Sequence, residues 1–138
     1  MNLPKKVKKR ITSRSGKNKG KRLQKLVADM LSEITGVPNG KDEMIESRES
    51  GQAGVDVKII GYMKKIIPLA IECKNQEKWN VHAWVDQAIF NQDIDNDWVL
   101  VCKRNRKSPV VIISFEFFTK LMKLFVKKNI RKMNKEKS

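Results

Sequence analysis

Apolar and polar residues alternate along this chain with two distinct periods. Leu23, Leu26, Val27, Met30, Leu31 and Ile34 follow i, i+3, i+4, i+7, i+8 and i+11, the spacing of one helical face, and Gly36 and Pro38 stop the pattern. In "EMIESRESGQAGVDVKIIGYMKKIIPLAIECKN" the period shortens toward two, which predicts three strands separated by a Gly-rich turn at "SGQAG" and a second turn around "GYMKK". Val81, Trp84, Val85, Ala88 and Ile89 mark another amphipathic helix, which "NQDIDND" ends. "WVLVCK" and "PVVIIS" read as two further strands joined by the basic turn "RNRKS". "FEFFTKLMKLFVKKNI" reads as a closing helix with Phe118, Leu121, Met122 and Phe125 as a core-facing stripe. Phe117 and Leu124 widen that surface, either for burial within one chain or for contact between two. The order α-β-β-β-α-β-β-α predicts an α/β fold with a mixed central β-sheet flanked by helices.

The strand pattern also predicts a register. Side chains of a strand alternate between faces, so Leu69, Ile71 and Cys73 point one way while Ala70, Glu72 and Lys74 point the other. With the second hairpin centred near Lys64, Asp56 falls opposite Glu72, Lys58 opposite Ala70, and Ile60 opposite Pro68. Val55, Val57, Ile59, Ile67, Leu69, Ile71 and Cys73 then share one apolar face, which a one-residue slip would destroy. Core packing alone therefore brings Asp56 and Glu72 together.

Charge adds a partner to this picture. The 138 residues hold 30 Lys and Arg against 15 Asp and Glu, a formal +15, so a polyanion is the first ligand to consider. Residues 1–25 contain 11 of the basic groups and no acid, and residues 117–138 contain eight against Glu136 alone. The stretch 1–19 has no hydrophobic period and reads as a flexible basic arm, 20–130 as the folded domain, and 131–138 as a basic tail. No apolar run approaches the ~20 residues of a membrane span, and no apolar segment follows the basic N-terminus, so a soluble cytoplasmic protein without a membrane partner is expected. Cys73 and Cys102 both fall in strand patterns and read as free buried thiols; with His82 as the one histidine, a zinc site is not expected.

Two carboxylates side by side on a sheet repel, and a divalent cation relieves the repulsion. Mg2+ suits this role because it takes hard oxygen ligands, keeps several waters and needs only one or two protein carboxylates beside substrate phosphate oxygens; Mn2+ is the expected substitute. Lys74, one pleat beyond Glu72, is placed to orient an attacking water and to balance charge on a phosphate. The plain alternative is a salt bridge from Lys74 to Asp56 or Glu72.

"SGQAGVD", followed sixteen residues after the Asp by "IECK", resembles the D…(D/E)xK motif of the PD-(D/E)xK nuclease superfamily, and within it the archaeal-type Holliday junction resolvases, also found in phages. The resemblance spans roughly residues 16–103. It implies a restriction-endonuclease-like α-β-β-β-α-β core, with Asp56 and Glu72 as metal ligands, the Cys73 carbonyl as a further one, and Lys74 as the catalytic lysine. Ser50 matches a loop serine that approaches the scissile phosphate, and Gln87 a helix glutamine of the active site, although Gln87 also reads as a polar neighbour of the apolar stripe. Where the resolvases have a glutamate four residues after the glycine opening the first helix, this chain has Gln24, which removes one charge; Glu49, Glu46 or Glu33 are other sources of the missing carboxylate.

The implied reaction is Mg2+-dependent hydrolysis of DNA to 5′-phosphate and 3′-hydroxyl ends. Lys5, Lys6, Lys8, Lys9, Arg10, Arg14, Lys17, Lys19, Lys21 and Arg22, with Arg48 near the turn, are candidate backbone contacts. A four-way junction cut symmetrically needs two sites on a two-fold axis, hence a homodimer. Trp79, Trp84 and Trp98 serve either base stacking or packing. Two rival readings stand beside resolution: a nuclease for flaps, ends or plain duplex, and a non-catalytic nucleic-acid-binding protein, which Gln24 keeps open.

Overall fold

Alternation along one strand, Leu69–Asn75, divides the molecule into two layers of side chains. The computed structural model describes residues 13–48 and 52–138. In chain order the elements are α1 (Ser13–Thr35), β1 (Ile45–Ser47), β2 (Val57–Ile59), α2 (Met63–Ile66), β3 (Leu69–Asn75), α3 (Val81–Asn91), β4 (Asp97–Lys103), β5 (Val110–Ile113) and α4 (Phe115–Lys137). The strands form one mixed sheet in the order β1-β2-β3-β4-β5. β3 and β4 run parallel, joined by α3 as a crossover helix, and the other neighbours are antiparallel.

The odd-numbered face of β3 meets α1. Leu23, Val27, Ala28 and Leu31 pack there against Ile45, Val57, Ile59, Ile71, Cys73, Val99 and Val101. The even-numbered face meets α3, where Trp84 and Ala88 cover Trp98, Leu100 and Cys102. Two of the three tryptophans are therefore packing residues. Trp79 remains half-exposed beside Trp84, with ring centres 6.2 Å apart. Both cysteines are free and buried.

The register of the second hairpin is the one the apolar pattern demands: Val57 pairs with Ile71. Its turn differs, because "MKKI" coils into the short α2 instead of a tight turn. Several faces are narrower than their periods suggest. On α1, Leu26, Met30 and Ile34 lie outside the core, and on α3 Ile89 does too. α1 also starts at Ser13, so residues 13–19, expected in a basic arm, are helical.

The largest departure is α4. Phe118, Leu121, Met122 and Phe125, expected to face the core, are all exposed; Phe117 alone of this helix packs against the main core. Residues 131–137, expected as a tail, continue the helix. The N-cap Ser114 accepts from the Phe117 amide at 2.9 Å and fixes where the helix begins.

Candidate active site

The site begins where the β2–β3 ladder ends. Asp56 is one residue before β2 and is held on both sides: its amide donates to the Ile71 carbonyl at 3.0 Å and its carbonyl accepts from the Arg48 amide at 2.8 Å. One residue further the two strands part. The Cys73 amide, which a continuing ladder would pair with a backbone carbonyl, donates instead to Asp56 Oδ2 at 2.7 Å. A carboxylate substituting for a strand carbonyl thus sits beside Glu72, the residue opposite it.

Glu72 is the one charged side chain of the described residues buried in the core, at 1% exposure. Its Oε1 accepts from Asn91 Nδ2 at 2.7 Å, while Oε2 is buried with no hydrogen-bond partner among the described residues. Burial, and then the charge of Asp56, pushes its carboxyl up to about 7, against the smaller opposing effects of Asn91 and Lys74. Two adjacent acids, one with an orphaned oxygen, form a donor set that a hard divalent cation fits. Among the described residues no group of three or more His, Cys, Asp and Glu that could hold a metal ion gathers.

Lys74 projects from the same strand face. Its Nζ donates to Gln87 Oε1 at 2.8 Å and forms no ion pair with either acid; the ion pairs of the described residues are Lys25–Asp29, Arg104–Glu77 and Lys120–Asp97. The plain salt-bridge alternative is therefore not what the fold adopts. Gln87 and Asn91 stand one turn apart on α3, so a single helix edge holds both Lys74 and Glu72. Asn91 escaped the sequence reading because an amide near a helix end has no distinguishing pattern; the i, i+4 spacing from Gln87 was the available signal.

The remaining candidates divide. Cys73 contributes its amide to Asp56, while its thiol lies in the core, its pKa pushed up by burial and by the Asp56 charge. Gln24 turns toward the interior, and its Oε1 is buried with no hydrogen-bond partner among the described residues. Ser50 and Glu49 lie outside the described residues, as do Lys5, Lys6, Lys8, Lys9 and Arg10. Arg48 is engaged in structure: Nε donates to the Val55 carbonyl at 2.7 Å and Nη1 to the Ala53 carbonyl at 2.6 Å, bracing the segment that leads to Asp56.

Arg14, Lys17, Lys19, Lys21 and Arg22 all lie on α1. Lys19 and Gly16 line a groove of about 530 Å3 together with Lys74, Gln76 and Lys78, and the Lys19 carbonyl accepts from Asn75 Nδ2 at 3.2 Å. The basic start of α1 is thereby joined to the end of β3 that presents Lys74.

A family model described as phage putative PDDEXK endonuclease matches residues 15–138. The chain belongs to that family. As a PDDEXK endonuclease family member it is placed in the PD-(D/E)xK nuclease superfamily, and its five-stranded mixed sheet with flanking helices agrees with a restriction-endonuclease-like fold. No curated protein and no solved structure matches the chain. No helix of the described residues is long and apolar enough to cross a membrane.

Proposed function

We propose that this PDDEXK family member is a Mg2+-dependent endodeoxyribonuclease that resolves four-way DNA junctions, acting as a homodimer. The observation carrying the catalytic part is the half-buried Asp56 beside the buried Glu72, whose Oε2 has no hydrogen-bond partner among the described residues, on the strand face that also presents Lys74. Asp56 and Glu72, with the Cys73 carbonyl, would hold the cation. A bound divalent cation supplies Lewis-acid stabilisation of phosphate charge and eases deprotonation of water.

The chain's own groups do the rest. Lys74, fixed by Gln87, places an ammonium at the attacked phosphate, where it offsets the growing negative charge and orients the entering water. Water oxygen bonds to phosphorus as the bond from phosphorus to the 3′-oxygen breaks, and the leaving oxygen takes up a proton. The Lys19 groove and the basic side chains of α1 bind the phosphate backbone without reading bases, which suits recognition by shape.

The test is to incubate the protein with a synthetic four-way junction and a matched linear duplex, with Mg2+, Mn2+ or chelator, alongside Lys74→Ala. Paired symmetric nicks confined to the junction support resolution, and equal cutting of both substrates supports a general nuclease. A non-catalytic DNA-binding protein is the second reading, favoured by Gln24 in place of an acid; DNA binding with no cleavage at any Mg2+ concentration would establish it.

A further inference from the structure

A second groove, of about 980 Å3, opens at the opposite end of β3 from the Lys19 groove. Pro68 and Leu69 at the start of β3 line it, with Ile60 just past β2. It reaches the candidate active site, because Val55 and Val57, the two neighbours of Asp56, both line it. On this face α3 covers β4 and leaves β2 bare: Val57 and Ile59 are buried in the α1 core, while Lys58 between them is exposed.

The charges of the groove are sorted by side. Sheet order puts β2 on one side of β3 and β4 on the other. Lys58 on β2, with Lys64 and Lys65 on α2, lines the first side; Asp93 and Asp95, in the segment leading into β4, line the second. None of these five side chains takes part in an ion pair among the described residues. Glu46, the cross-strand neighbour of Lys58 on β1, does not line the groove. Arg48 does line it, but its guanidinium is engaged with the Val55 and Ala53 carbonyls. Between the two acids Ile94 is 98% exposed.

This asymmetry fits one form of nucleic acid. A duplex carries phosphates on both of its strands, and a strand pressed against Asp93 and Asp95 would meet like charge. A single strand presents phosphates along one edge and bases along the other. Its phosphates match the lysine side. Its unpaired bases then turn to the carboxylates, which accept from exocyclic amino groups, and to Ile94, an apolar side chain of the kind that inserts between bases. Lys58 is two residues from Asp56, about 7 Å along the strand, close to one nucleotide of an extended chain.

We infer that this groove binds an unpaired DNA strand, with Lys58, Lys64 and Lys65 holding its phosphates, and leads that strand to Asp56 and Glu72. The inference deepens the proposed nuclease and rests on it for its purpose: what is recognised at a branch is the unpaired segment beside the cut. Duplex arms are left to the basic residues of α1.

The test is fluorescence anisotropy of the full chain with a labelled single-stranded oligonucleotide and with a linear duplex of the same sequence, in chelator and over a range of salt. Lys58→Ala combined with Lys64→Ala and Lys65→Ala is expected to weaken single-strand binding by about 10-fold or more and to make its slope of log affinity against log salt shallower by about two, with duplex binding changed by no more than about two-fold. Asp93→Asn with Asp95→Asn is expected to tighten duplex binding several-fold, and Ile94→Ala to weaken single-strand binding alone. All six positions are exposed, so each variant should keep the native circular dichroism spectrum. Single-strand binding indifferent to the lysine variant, or equal losses on strand and duplex, would overturn the groove. Cleavage is scored separately in Mg2+: a chain that binds strands through this groove and cuts no DNA removes the nuclease reading alone, and junction cutting at the native rate by the lysine variant removes the groove alone.

Discussion

Asn91 donates a hydrogen bond to Glu72, with Nδ2 2.7 Å from Oε1, and leaves Oε2 of that buried carboxylate without a partner among the described residues. The amide fixes the rotation of the carboxylate and so decides which oxygen is offered to a ligand. Outer partners of this kind typically change metal affinity by about 10-fold to 100-fold when removed. Asn91→Ala is therefore expected to weaken Mg2+ or Mn2+ binding by roughly 10-fold, measured by calorimetric titration in the absence of DNA. Unchanged affinity would show that Asn91 only fills space.

The raised pKa of Glu72 makes a second prediction, about stability. Its folded value, about 7, lies above the 4.5 of an unperturbed glutamate, with burial the main cause and Asp56 the next. The folded state then holds this proton more tightly than the unfolded chain does. The stabilisation is fully present below pH 4.5 and is lost as pH rises through about 7, so the metal-free protein weakens across that window. The loss is on the order of 3 kcal/mol. Mg2+ is expected to raise the melting temperature of the native chain at pH 8, and Glu72→Gln to flatten the pH dependence and abolish that rise. Thermal melts at several pH values, with Mg2+ and with chelator, check both.

Much of this site follows from sequence because a two-residue period leaves one workable register. The apolar set from Val55 to Cys73 can share a face only if Asp56 lies opposite Glu72, and Val57 pairs with Ile71 accordingly. What period cannot supply is the identity of the covering surface. Phe118 and Phe125 read as a core-facing stripe on α4 by their spacing, and the fold leaves both exposed. Residues 14–19 show no apolar period because that part of α1 is largely exposed. Arg48 reads as a DNA contact from its charge, and only the path of the chain reveals that it braces residues 53–55.

That bracing separates two kinds of basic residue. Arg48→Ala removes hydrogen bonds to the Val55 and Ala53 carbonyls, so it is expected to loosen the approach to Asp56 and lower kcat by about 10-fold, leaving the salt dependence of DNA binding unchanged. Lys19→Ala should do the reverse, lowering the slope of log affinity against log salt by about one phosphate contact and altering kcat little. Gly54→Ala should resemble Arg48→Ala, since Gly54 has φ +97° and an added Cβ would lie 3.3 Å from Arg48 Nη2. Salt titrations of binding alongside single-turnover cleavage distinguish the two. A shallower slope for Arg48→Ala would return it to the DNA contacts.

Lys74 and Gln87 allow a sharper test, because one is expected to act through the other. Lys74 Nζ is held by Gln87 Oε1 at 2.8 Å and by no acid within ion-pair distance, so the amide aims the amine without neutralising it. Lys74→Ala is expected to lower kcat by about 100-fold or more, the scale of a lost proton-transfer or charge-stabilising group. Gln87→Ala leaves the amine present but unaimed, and about 10-fold is expected. If Gln87 works only by holding Lys74, the double variant should be no slower than Lys74→Ala alone. Additive losses in that cycle would mean that Gln87 touches the substrate in its own right. Gln87→Glu sharpens the distinction further: an ion pair with Lys74 would immobilise the ammonium against α3, so slower cleavage with unchanged DNA affinity is the expected result.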